Sequence, residues 1–134
     1  MTETPLRIVI AEDDDSLATL VEEILDGDWR FTVVGRARSG EEAVQVCESA
    51  SPDIVLMDIA MPGSDGIDAT RAIHARDPEL HVVIYTGSDE YADVARAEEA
   101  GATGFLHKDA LTSGNLGDAL EVLHRNHLRG TLEP

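Results

Sequence analysis

Five short strand-like runs, each followed by a stretch with helical character, leave this chain few folds to choose from. The runs cover residues 6–11, 31–37, 54–57, 81–86 and 103–108, and those at 6–11 and 54–57 are apolar enough for strands buried on both faces. Between the first two, Leu17, Leu20, Val21, Ile24 and Leu25 recur at the spacing of one helical face, and Gly27 closes that helix. Ser39-Gly40-Glu41-Glu42 is a capping box that opens a second helix with Val44 and Cys47 inward. A third helix, about residues 67–75, is broken by Asp77-Pro78. An Ala-rich fourth, about 89–100, carries few large core residues and ends at Gly101. Leu116, Ala119, Leu120, Leu123 and His127 mark the last helix, whose first turns contain the weak helix formers Gly114 and Gly117.

Strand and helix alternating five times predicts an α/β fold, a five-stranded parallel sheet doubly wound as (βα)5. Right-handed crossovers place helices on both of its faces. Residues 1–127 are expected to form one domain and residues 128–134 a loose tail or linker stump. The single cysteine, Cys47, rules out an internal disulfide and fits a reducing compartment. No amino-terminal signal and no apolar run of spanning length is present, so a soluble cytoplasmic protein with no membrane contact is expected. Ten basic against 27 acidic residues give a formal charge of −17. That charge argues against direct nucleic-acid binding by this domain; it suits a basic partner or divalent cations, and simple solubility explains it as well.

In a parallel sheet the carboxyl ends of all strands share one edge, where open α/β folds bind ligands. The first run ends on Glu12 and Asp13, the third on Asp58, the fourth on Thr86 and the fifth on Lys108. Three carboxylates against one ammonium leave two negative charges, which a divalent cation would neutralise; oxygen-only donors select a hard ion, and Mg²⁺ fits best. A cation, a hydroxyl and a lysine together can handle a phosphoryl group, with Asp58 as the nucleophile. The bland reading of Asp58 is a strand that ends on Asp because the loop after it, with Pro62, Gly63, Asp65 and Gly66, needs a turn former.

These residues carry a resemblance. Glu12-Asp13, Asp58 with Met61-Pro62 and Asp65-Gly66, Tyr85-Thr86-Gly87, and Gly104-Phe105-Leu106-His107-Lys108-Asp109 resemble the receiver domain of two-component response regulators, from Leu6 to about His127. The resemblance implies a flavodoxin-like sheet of order 2-1-3-4-5 and phosphoryl transfer to Asp58 from a sensor histidine kinase or a phosphotransfer protein. It implies Mg²⁺ held by Asp13, Asp58 and the backbone carbonyl of Ala60, with Glu12 acting through water. Thr86 and Phe105 become the switch pair, read out on the face of the last two helices and the strand between them, a face that could also form a homodimer. Ala60 and Ser88 stand at the positions that this family links to the lifetime of the phosphate.

Two other classes stay open. A Mg²⁺-dependent phosphohydrolase of the haloacid dehalogenase type also uses a strand-end Asp, but it needs a second Asp where this chain has Ala60. A receiver-like interaction module that is never phosphorylated would have no reason to keep Asp13, Asp58, Thr86 and Lys108 together. Elsewhere the plain readings lead. Asp14 and Asp15 are the cap and dipole partners of the first helix. His124 and His127, three apart near Glu121, offer one side of a transition-metal site at most. His107 is an exposed strand-end histidine, and Trp29 is a packed anchor in the loop before the second strand.

Overall fold

The computed structural model of the chain describes residues 4–61, 66–87, 91–111 and 113–132. Strands β1 (Leu6–Ala11), β2 (Phe31–Ala37), β3 (Ile54–Asp58), β4 (His81–Thr86) and β5 (Gly104–His107) form one parallel sheet in the order β2-β1-β3-β4-β5. The helices are α1 (Asp15–Asp26), α2 (Gly40–Ala50), α3 (Gly66–Arg76), α4 (Tyr91–Ala100) and α5 (Leu116–Leu132). This is the doubly wound, flavodoxin-like arrangement that the alternation and the resemblance imply.

Side chains alternate across the strands, and each face of the sheet has its own core. Val9, Val55, Met57, Val82 and Ile84 pack with Ala43, Cys47, Ile67, Ile73 and Ala97 from α2, α3 and α4. Ile8, Ile10, Leu56, Val83 and Tyr85 pack with Ala18, Val21, Leu25, Leu116 and Leu120 from α1 and α5. All five residues of β3 are buried, as a central strand covered on both faces requires. Helix starts follow the sequence: Asp14 Oδ1 accepts from the Leu17 N–H at 3.1 Å, Ser39 Oγ accepts from the Glu42 N–H at 3.1 Å, and Asp15 pairs with Arg38.

Four local expectations change. Leu20 is exposed, and Ala18 takes the inward position on α1. Gly114, with φ +86°, precedes α5 and is not part of it. Gly117 does lie in the first turn, where a Cβ would stand 2.7 Å from Arg30 Nη2, so its small size admits the loop that packs there. That loop is anchored by Arg30, which donates to both oxygens of Asp28 at 2.9 and 2.7 Å and to Asp118 of α5 at 3.0 Å. Trp29, between these two inward residues, is 72% exposed and anchors nothing. Finally, α5 continues to Leu132 through residues expected to be a tail. Pro62, Gly63, Asp65, Ser88 and Asp89, and the final residues Glu133 and Pro134, lie outside the described residues. Among the described residues no helix is long and apolar enough to cross a membrane.

Candidate functional site

The carboxyl ends of β1, β3 and β4 are neighbours, and their alternation sends Glu12, Asp58 and Tyr85 to the α1/α5 side of the sheet. Glu12 and Asp58 are buried and Asp13 is exposed; a carboxylate oxygen from each lies within 4.8 Å of the other two. Glu12 is turned back by the Asp14 N–H, which donates to its Oε2 at 3.0 Å. The Ala60 N–H donates to Asp58 Oδ1 at 3.1 Å, so the turn-forming role read for Asp58 is real and coexists with its place in the cluster. Gly66 starts α3 directly against this strand end. A Cβ there would meet the Asp58 carbonyl and stand 2.9 Å from Ile59 Cα, so glycine alone fits.

Lys108 begins a single turn of 3₁₀ helix after β5, with its Nζ 3.5 Å from Asp58 Oδ2 and 3.9 Å from Glu12 Oε1. Thr86 is half-buried at the last position of β4, next to Tyr85, which pairs in register with Asp58. Phe105, half-buried against the α2–α4 core, pairs with Ile84 and shares that face with Thr86, two positions nearer the amino edge. The expected residues are therefore brought together in two groups: the carboxylates with Lys108, and Thr86 with Phe105 on adjacent strands.

Burial pushes the Glu12 carboxyl up to about 7, and the charge of Asp58 adds to this. The Asp14 N–H and the Tyr85 hydroxyl oppose the rise. Surplus negative charge among oxygen-only donors is the condition a hard divalent cation relieves, so these residues fit Mg²⁺. Cys47 is no rival nucleophile: it is buried, and burial holds its thiol at about 12.

Two features escaped the sequence reading. The first is Tyr85, whose hydroxyl donates to Glu12 Oε1 at 2.7 Å; strand parity and register with Asp58 were the available signals. The second lies at the opposite edge. His124 and His127 turn inward onto His81, and the His81 and His127 rings stack at 4.3 Å, while Glu121 faces Arg30 and Arg125. These two histidines are thus part of a packed joint between α5 and β4, in place of the half-site beside Glu121 that their spacing suggested. His107 is exposed beside Asp109, as its plain reading has it.

With this geometry in hand, comparison with known proteins is specific. The family model described as the response regulator receiver domain matches residues 8–121. The chain is 41% identical over 109 residues to protein-glutamate methylesterase/protein-glutamine glutaminase 4 of Myxococcus xanthus, covering 81% of this chain and 31% of that protein. It is 31% identical over 121 residues to the nitrate/nitrite response regulator protein NarL of Escherichia coli, covering 90% and 54% respectively. The solved structure of a two-component response regulator of the LuxR family from Aurantimonas superposes with a TM-score of 0.84 at 29% identity, covering 92% of this chain and 87% of that one. The chain belongs to the response regulator receiver domain family. It is a receiver domain of two-component signalling, and neither alternative reading is favoured. It spans about half the length of such curated relatives, or less. Phosphorylation and Mg²⁺ binding at an acidic pocket are general to the family.

Proposed function

We propose that Asp58 is the residue that accepts the phosphoryl group, and that the chain switches its surface in response. The observation that carries this reading is the convergence of Glu12, Asp13 and Asp58 within 4.8 Å of one another, with Lys108 3.5 Å from Asp58. A carboxylate oxygen of Asp58 attacks phosphorus, and the bond to a donor histidine nitrogen breaks with its electron pair returning to the ring. Lys108 balances charge on the transferred group, and the Thr86 hydroxyl donates to one of its oxygens. Asp13, Asp58 and the carbonyl of Ala60 would hold Mg²⁺, with Glu12 acting through water; when bound, the ion supplies neutralisation of phosphoryl charge.

The Phe105 ring follows Thr86 inward, and the change is read on α4, β5 and α5. Among the described side chains of α4 only Ala97 and Ala100 are buried, which makes it a lightly held element that can shift. The partners are a sensor histidine kinase or phosphotransfer protein and, through the same face, a second copy; the charge of −17 speaks against nucleic acid. The domain acts as a cytoplasmic phosphoacceptor and not as a metabolic enzyme. With Mg²⁺ and a small acyl phosphate, intact mass should rise by one phosphoryl group in the wild type and not in Asp58→Asn. An equal rise in that variant contradicts the assignment.

A further inference from the structure

We propose that Tyr85 is a positioning residue for this site: its hydroxyl holds Glu12 and thereby leaves Lys108 to Asp58. The inference rests on the function proposed above. Tyr85 is fully buried, and its single hydroxyl proton is directed at Glu12 Oε1, 2.7 Å away, with the Ala11 carbonyl at 3.3 Å beside it. The other oxygen of Glu12 already accepts from the Asp14 N–H. The carboxylate is thus clamped at both oxygens, once by its own loop and once from the neighbouring part of the sheet.

The clamp settles a competition. Lys108 Nζ stands 3.5 Å from Asp58 Oδ2 and 3.9 Å from Glu12 Oε1, within reach of either. A buried carboxylate oxygen with no donor costs more than one that is satisfied. Without the Tyr85 hydroxyl, Glu12 Oε1 would draw the ammonium away from Asp58. The ring also lies under that ammonium, with Nζ 5.7 Å from its centroid, which helps to hold the lysine over the site. No part of this needs Tyr85 to touch the phosphoryl group; it acts through Glu12 and Lys108.

Tyr85→Phe removes the hydroxyl and keeps the ring. Measured by electron paramagnetic resonance of free Mn²⁺, its divalent affinity should fall about tenfold, the scale seen when the partners of metal ligands are removed. In a Glu12→Gln background the same change should have no further effect, because Tyr85 acts through that carboxylate. Equal Mn²⁺ affinity of Tyr85→Phe and wild type overturns the inference, as does an undiminished tenfold loss in the Glu12→Gln background. Uptake of phosphoryl is scored separately by mass. A wild type that takes up none contradicts the proposed function, while the affinity ratio still decides the role of Tyr85.

Discussion

The two edges of one sheet gather buried titratable groups in opposite ways. At the carboxyl edge, Glu12, Asp58 and exposed Asp13 crowd three carboxylates within 4.8 Å of one another against the one ammonium of Lys108. At the amino edge, His81 Nδ1 and His124 Nδ1 face each other at 3.2 Å and share one proton, and His127 Nε2 donates to the Glu79 carbonyl at 2.8 Å. His127 Nδ1 meets Thr103 Oγ1 at 3.0 Å, so both its nitrogens are engaged. The cheaper arrangement puts the shared proton on His81, because its buried Nε2 has no partner and is then a bare acceptor, not an orphaned donor. Surplus charge marks the site, while buried, stacked rings make a joint between α5 and the start of β4.

The largest expected effect is on pH dependence, because the two edges have opposite slopes. Burial, with the neighbouring His127 and His124, lowers His81 from 6.5 to about 3. The unfolded chain therefore binds more protons between those values, and stability is lost as pH falls from 6.5 toward 3. One histidine kept neutral should cost on the order of 2 kcal/mol by pH 5, measured by urea unfolding. His124, lowered in the same direction, adds to it, and His81→Phe should flatten the limb. Glu12 is raised from 4.5 to about 7, so the folded state binds more protons there, and metal-free stability falls as pH rises through that window. Glu12→Gln or saturating Mg²⁺ should remove this second limb and leave the first.

Smaller effects test the frame of each edge. Gly66→Ala forces a Cβ against Asp58 and Ile59 and should cost about 1–3 kcal/mol in thermal unfolding, with weaker divalent binding. Asp14→Ala removes the cap of α1 and should cost about 1 kcal/mol. Trp29→Ala, on the loop entering β2, should change stability by less than about 0.5 kcal/mol, since the side chain is exposed. A loss of several times that size would restore the anchoring role the sequence suggested.

The sheet and the carboxylate cluster were legible because they follow from local signals: apolar runs, breakers, and acids at strand ends. What stayed hidden depends on partners distant in sequence. His124 and His127 could be seen as a pair, but not that His81, 43 positions before His124, completes them. Tyr85 was visible only as a neighbour of Thr86, since its hydroxyl meets a carboxylate 73 positions away. Trp29 was misplaced because Asp28 and Arg30 make the contacts with α5. The stretch from Leu128, expected to be a loose tail, continues α5 to Leu132 through Gly130. That glycine faces open space, so it costs only backbone entropy, about 1 kcal/mol, which a long packed helix absorbs.

The most direct test is to add Mn²⁺ and record which amide signals broaden. Signals of residues 12–14 and 58–60 and of Lys108 should vanish first, while those of His81, His124 and His127 stay sharp. Broadening centred on the histidines, with the carboxylate edge untouched, would contradict the account.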